Sequence, residues 1–313
     1  MADESVPQNT LGEKAAYQLA NVTKTQPHYG AITPRWLVRF LDWKPLDAGT
    51  LRVNKVAEAN NTEVVCGPAS DNPLHGTFVN YDENPREYTL NSISSVLDVH
   101  TRISDIFSNP FDQIKEQLRL TIETVKELQE HELINNASYG LLNNVAASQR
   151  IKTRKGAPSP DDLDELIAKV WKEPSFFLAH PLAIAAFGRE CTRRGVPPPT
   201  ITLFGTPFLT WRGLPLIPTD KLLVDGQSKP PTTGGKTNIL LVRVGEQKQG
   251  VIGLFQPGLP GEQTPGLSVR FMGIDRQAIG SYLVSLYCSA AVLTDDAIAV
   301  LEGVDVGQYY EYK

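Results

Sequence analysis

The segment Ala15 to Val53 constrains this chain most, because Trp36, Leu37, Phe40, Leu41 and Trp43 crowd into eight residues ahead of the rest of the protein. Thr10 to Glu13 forms a capping box that opens a short helix with Leu11, Ala15, Leu19 and Val22 on one face. After an eleven-residue loop, Thr33 as N-cap and Pro34 at the first helical position predict a second helix, with Pro45 ending it. Neither helix reaches the roughly 12–15 residues at which an isolated helix becomes marginal in water. Burying each large apolar side chain returns about 1.5–3 kcal/mol, but only against a surface outside the segment. That surface is either the chain's own body or a neighbouring subunit. On the second reading Trp36, Leu37, Phe40, Leu41 and Trp43 are candidate intersubunit arm contacts.

Beyond this segment the chain is ordinary. It has 313 residues, 41% of them hydrophobic and 21% charged, enough to bury one large core or two modest ones. A net charge of −5 supplies no basic footprint for nucleic acid. MADESV is acidic where a signal peptide needs a basic start and an apolar run. No run approaches the ~20 apolar residues of a membrane span, so the expected location is the cytoplasm, with neither nucleic acid nor membrane as partner.

Thr50 to Val65 and Thr77 to Ile93 carry strand-like residues around turns at Ala59–Asn61 and Asp82–Pro85, and together predict a long, weakly apolar hairpin. Asn109 and Pro110 start the longest helix, with Phe111, Ile114, Leu118, Ile122, Val125 and Leu128 on one face. About 25 residues at 1.5 Å each make a spine of roughly 37 Å. Ser159, Pro160 and Asp162 start another helix; His180 and Pro181 start a third, closed by Gly195. From Thr200 the chain turns β-rich, with strands expected around Ile201, Leu203, Leu216, Ile239–Val244, Val251–Phe255, Ser281–Leu293 and Ile298–Val304. Helices followed by strands, without regular βαβ alternation, argue for an α+β fold.

Sites for chemistry are sparse. Gly234-Gly235-Lys236-Thr237 imitates the end of a phosphate loop, but position 230 is proline where the motif needs glycine, and a strand follows where it needs a helix. The five histidines never fall at ligand spacing, and Cys66, Cys191 and Cys288 stand far apart. No catalytic residue, cofactor-binding residue or metal ligand is assigned. Asp161, Asp162, Asp164 and Glu165 belong to the first turns of a capped helix, where negative charge complements the dipole.

QLANVTKTQPHYGAITPRWLVRFLDWKPLDAGTLRVNKV resembles the amino-terminal arm of the family 2A encapsulin shell proteins, and FGTPFLTWRGLPLIPTDKLL resembles their inner strands. The likeness runs from about Leu11 to Val306. It implies an HK97-like capsid fold of the tailed-phage type. The parts are then an N-terminal arm (1–48), an extended hairpin loop (49–95) and a peripheral domain with the spine helix (96–176). An axial domain (177–293) follows, and then a terminal strand returning to the peripheral domain with a C-terminal tail (294–313). The implied function is structural: self-assembly, with sixty copies closing an icosahedral compartment. The resemblance also implies an enclosed cargo enzyme, a cysteine desulfurase carrying pyridoxal phosphate, with pores controlling small-molecule access. By position, Val224 to Asn238 matches the loop around the fivefold pore, making Gln227, Ser228, Lys229, Thr232, Thr233, Gly234 and Lys236 candidate pore residues. Lys229 and Lys236 are either rings of positive charge that favour small anions or solvated lysines on an unrelated loop. A bacteriophage major capsid protein shares the implied fold and is the main alternative; an unrecognised soluble enzyme and a membrane-associated protein are the others.

Overall fold

A computed structural model of the chain describes residues 32–54, 81–100, 113–227 and 234–309. The capping box at Thr10, the helix start at Asn109 and Pro110, and the distal hairpin lie outside these residues. The strands are β1 (Asp42–Pro45), β2 (Thr50–Val53), β3 (Arg86–Thr89), β4 (Asn91–His100), β5 (Arg150–Lys152), β6 (Phe176–Ala179), β7 (Thr200–Leu203), β8 (Thr206–Trp211), β9 (Leu214–Pro218), β10 (Lys236–Val242), β11 (Val251–Phe255), β12 (Glu262–Thr264), β13 (Leu267–Ile274), β14 (Ile279–Val292) and β15 (Ile298–Asp305). The helices are α1 (Trp36–Phe40), α2 (Gln113–Asn135), α3 (Pro160–Lys169) and α4 (Pro181–Arg193).

Two large sheets carry the fold. One has the order β1-β11-β14-β13-β12, with β4 also paired to β14; the other runs β5-β15-β10-β6-β9-β8-β7. In the first, β14 pairs with β4 over Ile279–Cys288, while β13 and β11 take successive lengths of it, Gly280–Leu286 and Cys288–Val292. α2 is the predicted spine: Leu118, Ile122 and Val125 pack with Ile93, Val284 and Leu286 of β4 and β14. α3 and α4 cover one face of the second sheet, where Leu163, Leu166 and Phe187 meet Phe177, Leu241 and Leu301. The opposite face of the same strands presents Phe176, Leu240 and Val300 to the larger core cluster. Burial on both faces explains why FFLA, ILLV and IAVL read as unbroken apolar runs without alternation.

The predicted caps hold. Ser159 Oγ accepts from Asp162 N, and Ser159 N donates to Asp162 Oδ2 at 3.0 Å, closing a capping box at α3. His180 Nδ1 accepts from Leu182 N at 3.1 Å. At the other end of α4, Gly195 sits at φ +71°, with its N–H donating to Thr192 O and that of Val196 to Cys191 O. This is the two-bond Schellman closure that a left-handed glycine makes cheap.

One expectation is corrected. The helix after Thr33 spans only Trp36–Phe40, because the Thr33 N–H and hydroxyl both go to Glu127 at 2.9 Å instead of capping. Leu41 is already extended, and the chain becomes β1, pairing parallel with β11. Pro45 therefore ends no helix. It lies on an edge strand, where a missing N–H costs little. β14 lies on the sheet of β4 under the spine helix, and β15 lies in the other sheet between β10 and β5.

The stem of the predicted hairpin is present: β2 and β3 pair antiparallel from Thr50↔Thr89 to Val53↔Arg86. A single residue, Leu90, separates β3 from β4, and its N–H donates to Gly49 O. Tyr88, buried, anchors the stem by donating from its hydroxyl to Val292 O at 3.0 Å.

Arg243, just beyond β10, is 1% exposed. Its guanidinium donates to Asp296 Oδ1 and Thr294 Oγ1, each at 2.8 Å, tying β10 to the turn between β14 and β15. Burial by itself would raise the Asp296 carboxyl, but hydrogen bonds from Arg243, Thr294 and Lys172 hold it well below the usual carboxylate range. Removing one partner of such a pair strands the other, at a cost of about 3–5 kcal/mol. Arg243→Leu is expected to lower unfolding stability in urea by about that amount, and Asp296→Asn in the Arg243→Leu background to recover part of it.

Candidate assembly and pore sites

Residues 32–45 lie across the C-terminal half of the spine helix and the ends of both sheets. Glu123, Glu127 and Glu130 recur at helical spacing on α2 and face this segment. Arg35 donates to Glu123 at 2.6 Å, Thr33 to Glu127, and Leu37 N to Glu130 Oε1 at 3.3 Å. On the other side the aromatic side chains interlock. The Trp36 ring meets Phe208 edge-on at 5.1 Å and stacks on Phe204 at 6.1 Å, while Phe40 lies 5.1 Å from Phe176. Trp43 donates from Nε1 to Val38 O at 2.8 Å. Its ring fills the space above Gly253, where a Cβ would come within 2.6 Å of it.

Within one chain, Trp36, Leu37, Phe40, Leu41 and Trp43 face the subunit's own core. Trp36, Leu37 and Leu41 are at most 6% exposed within a single chain, and Phe40 and Trp43 pack on the same cluster. Their apolar area is satisfied by the subunit's own core. The spacing of these residues signalled that they needed a partner surface, but could not say which chain supplied it.

Glu130 was not singled out from sequence, because on a helix that also carries Lys115, Glu116, Arg119, Lys126 and Glu132 one more glutamate gives no signal. It is 1% exposed, and its carboxylate also lies 3.4 Å from the Thr219 hydroxyl, so it joins α1, α2 and the end of β9. Burial pushes its carboxyl up to about 7, against the pull of the Leu37 N–H and of Lys221, and with Glu127 and Asp220 adding repulsion. Lys221 Nζ is spent on Glu127 and Asp220, at 3.0 and 2.8 Å. Because the folded value lies above the unfolded one, the native state holds this proton more tightly. Its contribution is complete below about pH 4.5 and is lost as pH rises through about 7, a swing of about 3 kcal/mol. Glu130→Gln is expected to flatten the fall in thermal stability between pH 5 and 8; an unchanged slope would assign the pH dependence to other groups.

At the candidate pore loop only the stem is described. Ser228, Lys229, Thr232 and Thr233 lie outside the described residues. Asp225 N donates to Lys236 O at 2.8 Å, and Lys236 N returns a bond to Asp225 Oδ1 at 2.9 Å. Asp225 and Gly226 turn the chain at φ +50° and +71°, and Gln227 is exposed. On the far side Gly235 O accepts from Val306 N, and Gly234 passes so near Gly307 that a Cβ there would lie 2.5 Å from its Cα. Lys236 is exposed and opens β10, so a strand follows Gly-Gly-Lys-Thr where a phosphate loop requires a helix. The structure thus places Gln227, Gly234 and Lys236 at the two ends of the stem joined by the Asp225–Lys236 bonds. Among the described residues no group of three or more His, Cys, Asp or Glu is arranged to hold a metal ion, and no helix is long and apolar enough to cross a membrane.

A spine helix on one sheet, a second sheet buried on both faces and a hairpin stem continuous with the first sheet define a subunit of the capsid fold. Solved structures bear this out at low identity. A chain of Microbacterium phage Oxtober96 superposes with a TM-score of 0.59 at 14% identity, covering 94% of this chain and 99% of that one. The capsid of an empty GTA particle superposes with a TM-score of 0.59 at 13% identity, covering 92% and 96%. Far greater similarity links the chain to one group. Residues 47–308 match the family model described as type 2A encapsulin shell protein SrpI-like. The type 2A encapsulin shell protein SrpI of Synechococcus elongatus is 64% identical over 310 residues, 99% of each chain, and a type 2A encapsulin shell protein of Mycolicibacterium paratuberculosis is 60% identical over 97% of each. In the cryoEM structure of the holo-SrpI encapsulin complex from Synechococcus elongatus, the matching chain has a TM-score of 0.83 at 62% identity, covering 97% of this chain and 99% of that one. The chain belongs to the type 2A encapsulin shell proteins: it is a structural subunit of a protein nanocompartment, not an enzyme.

Proposed function

We propose that sixty copies of this chain close an icosahedral compartment in the cytoplasm around a cargo enzyme, a cysteine desulfurase carrying pyridoxal phosphate, and that the shell itself binds no cofactor. The observation that carries the reading is the end-to-end match, at 62% identity, to a subunit of an encapsulin complex. Closed point-group assembly is the usual outcome of heterologous contacts, which close when the rotation between copies does. The net charge of −5 favours a compartment for protein over one that packs nucleic acid by counter-charge. In this reading the loop on the Asp225–Lys236 stem rings the fivefold pore, with Lys229 and Lys236 drawing small anions inward.

Expression of the chain alone should give uniform hollow particles near sixty times 34.4 kDa by mass photometry, free of nucleic acid. A species of one to a few chains would overturn the compartment reading. Charge reversal of the loop, Lys229→Glu with Lys236→Glu, is expected to leave particle mass unchanged and to slow entry of a small anionic quencher to an encapsulated fluorophore. Equal entry rates for anionic and neutral quenchers in both shells would remove the pore role.

A further inference from the structure

Four elements meet at a small cleft of about 110 Å³, formed by residues 33–35 ahead of α1, Glu130 of the spine helix, residues 218–220 at the end of β9 and Pro181 at the start of α4. Glu130 is the buried acid in its wall. Its Oε1 accepts from Leu37 N at 3.3 Å and from the Thr219 hydroxyl at 3.4 Å, both long for bonds to a carboxylate. The nearby cations are committed elsewhere: Arg35 to Glu123 and Glu127, and Lys221 to Glu127 and Asp220. His180, the N-cap of α4, accepts from Leu182 N, and burial holds its imidazole below the ordinary range although Asp220 pulls the other way. Two cations thus already face three carboxylates, and among the described residues a charge on Glu130 has no counter-ion of its own.

We infer that Glu130 is a proton-operated latch, which holds residues 32–37 on the spine helix while its carboxyl is neutral and frees them when it ionises. Ionisation passes one proton to water and leaves a buried carboxylate that two long hydrogen bonds do not satisfy. Water reaches it most easily where residues 33–35 lift away from residues 218–220. The spine helix is fixed by its core packing, whereas the segment ahead of Trp36 is tied to it through Glu123, Glu127 and Glu130. Trp36 and Phe40 stay in their aromatic contacts, so the release stops at α1 and the subunit remains folded. Burial pushes the Glu130 carboxyl up to about 7 in the closed form, and lifting the segment returns it toward 4.5. The closed form therefore binds the proton more tightly. Opening becomes easier as pH rises from about 5 to about 7 and levels off above. Residues 1–31 join the subunit through this segment, so the latch sets whether they start from a fixed point.

The test is hydrogen exchange read by mass spectrometry on the full chain as purified, with rates corrected for the intrinsic pH dependence of exchange. Protection of residues 32–37 is expected to fall about tenfold per pH unit between about pH 5 and 7 and then level off, while β10 and β15 keep theirs. Glu130→Gln keeps an acceptor for Leu37 N and the Thr219 hydroxyl but cannot ionise, and should hold that protection constant across the range. His180→Asn keeps an N-cap and removes the imidazole, and should leave the wild-type profile unchanged. Thr219→Val removes one bond to the ionised acid and should carry the profile to higher pH, which keeps the latch testable if Glu130→Gln does not fold. A flat wild-type profile, the wild-type profile in Glu130→Gln, a profile flattened by His180→Asn or one unmoved by Thr219→Val would each overturn the latch. So would loss of protection in β10 and β15 alongside residues 32–37, which would show that the whole subunit opens.

Discussion

The contact on which the subunit depends is the aromatic knot of Trp36, Phe40, Phe176, Phe204 and Phe208. It joins the start of the described chain, the first strand after α3 and the β7–β8 turn, three stretches far apart in sequence. Edge-to-face and stacked rings add about 0.5–1.5 kcal/mol per pair beyond the area they bury. Because the same segment goes on as β1 along β11, the knot also ties the second sheet to the first. The hydrogen bonds to Glu123, Glu127 and Glu130 then fix the spine helix to both. An isolated five-residue helix has no stability of its own, so α1 exists because these partners surround it.

That dependence explains what could be read from the residues and what could not. Local signals were dependable. The Ser159–Asp162 capping box, the His180–Pro181 start and the Gly195 closure each rest on atoms within a few residues of one another, and each appears as expected. The strands around Leu240, Leu254 and Val300 followed from apolar runs too short for buried helices. The family likeness of the Ala15 to Val53 segment led directly to the capsid fold.

What the residues left open turned on non-local information. Thr33-Pro34 is a sound helix start, but the Thr33 hydroxyl had a competing acceptor in Glu127, 94 residues away. Five apolar side chains announced burial without saying against which chain. Sheet membership of β14 and β15 was equally invisible, because alternation identifies a strand and not its neighbour. Arg243 interrupts an apolar strand pattern, which marks it as unusual; its partner in the turn before β15 is set only by the fold.

The junction at Leu90 has a mechanical meaning for a shell. With one residue between β3 and β4, and Tyr88 bonded to Val292, the hairpin stem has no hinge at its base and moves as an extension of the β4–β14 ribbon. A torque on the stem is therefore passed as twist to that ribbon, which runs beneath the spine helix. Curvature of the container and packing under the helix become one elastic quantity, so stress applied to the wall is felt in the interior of each subunit.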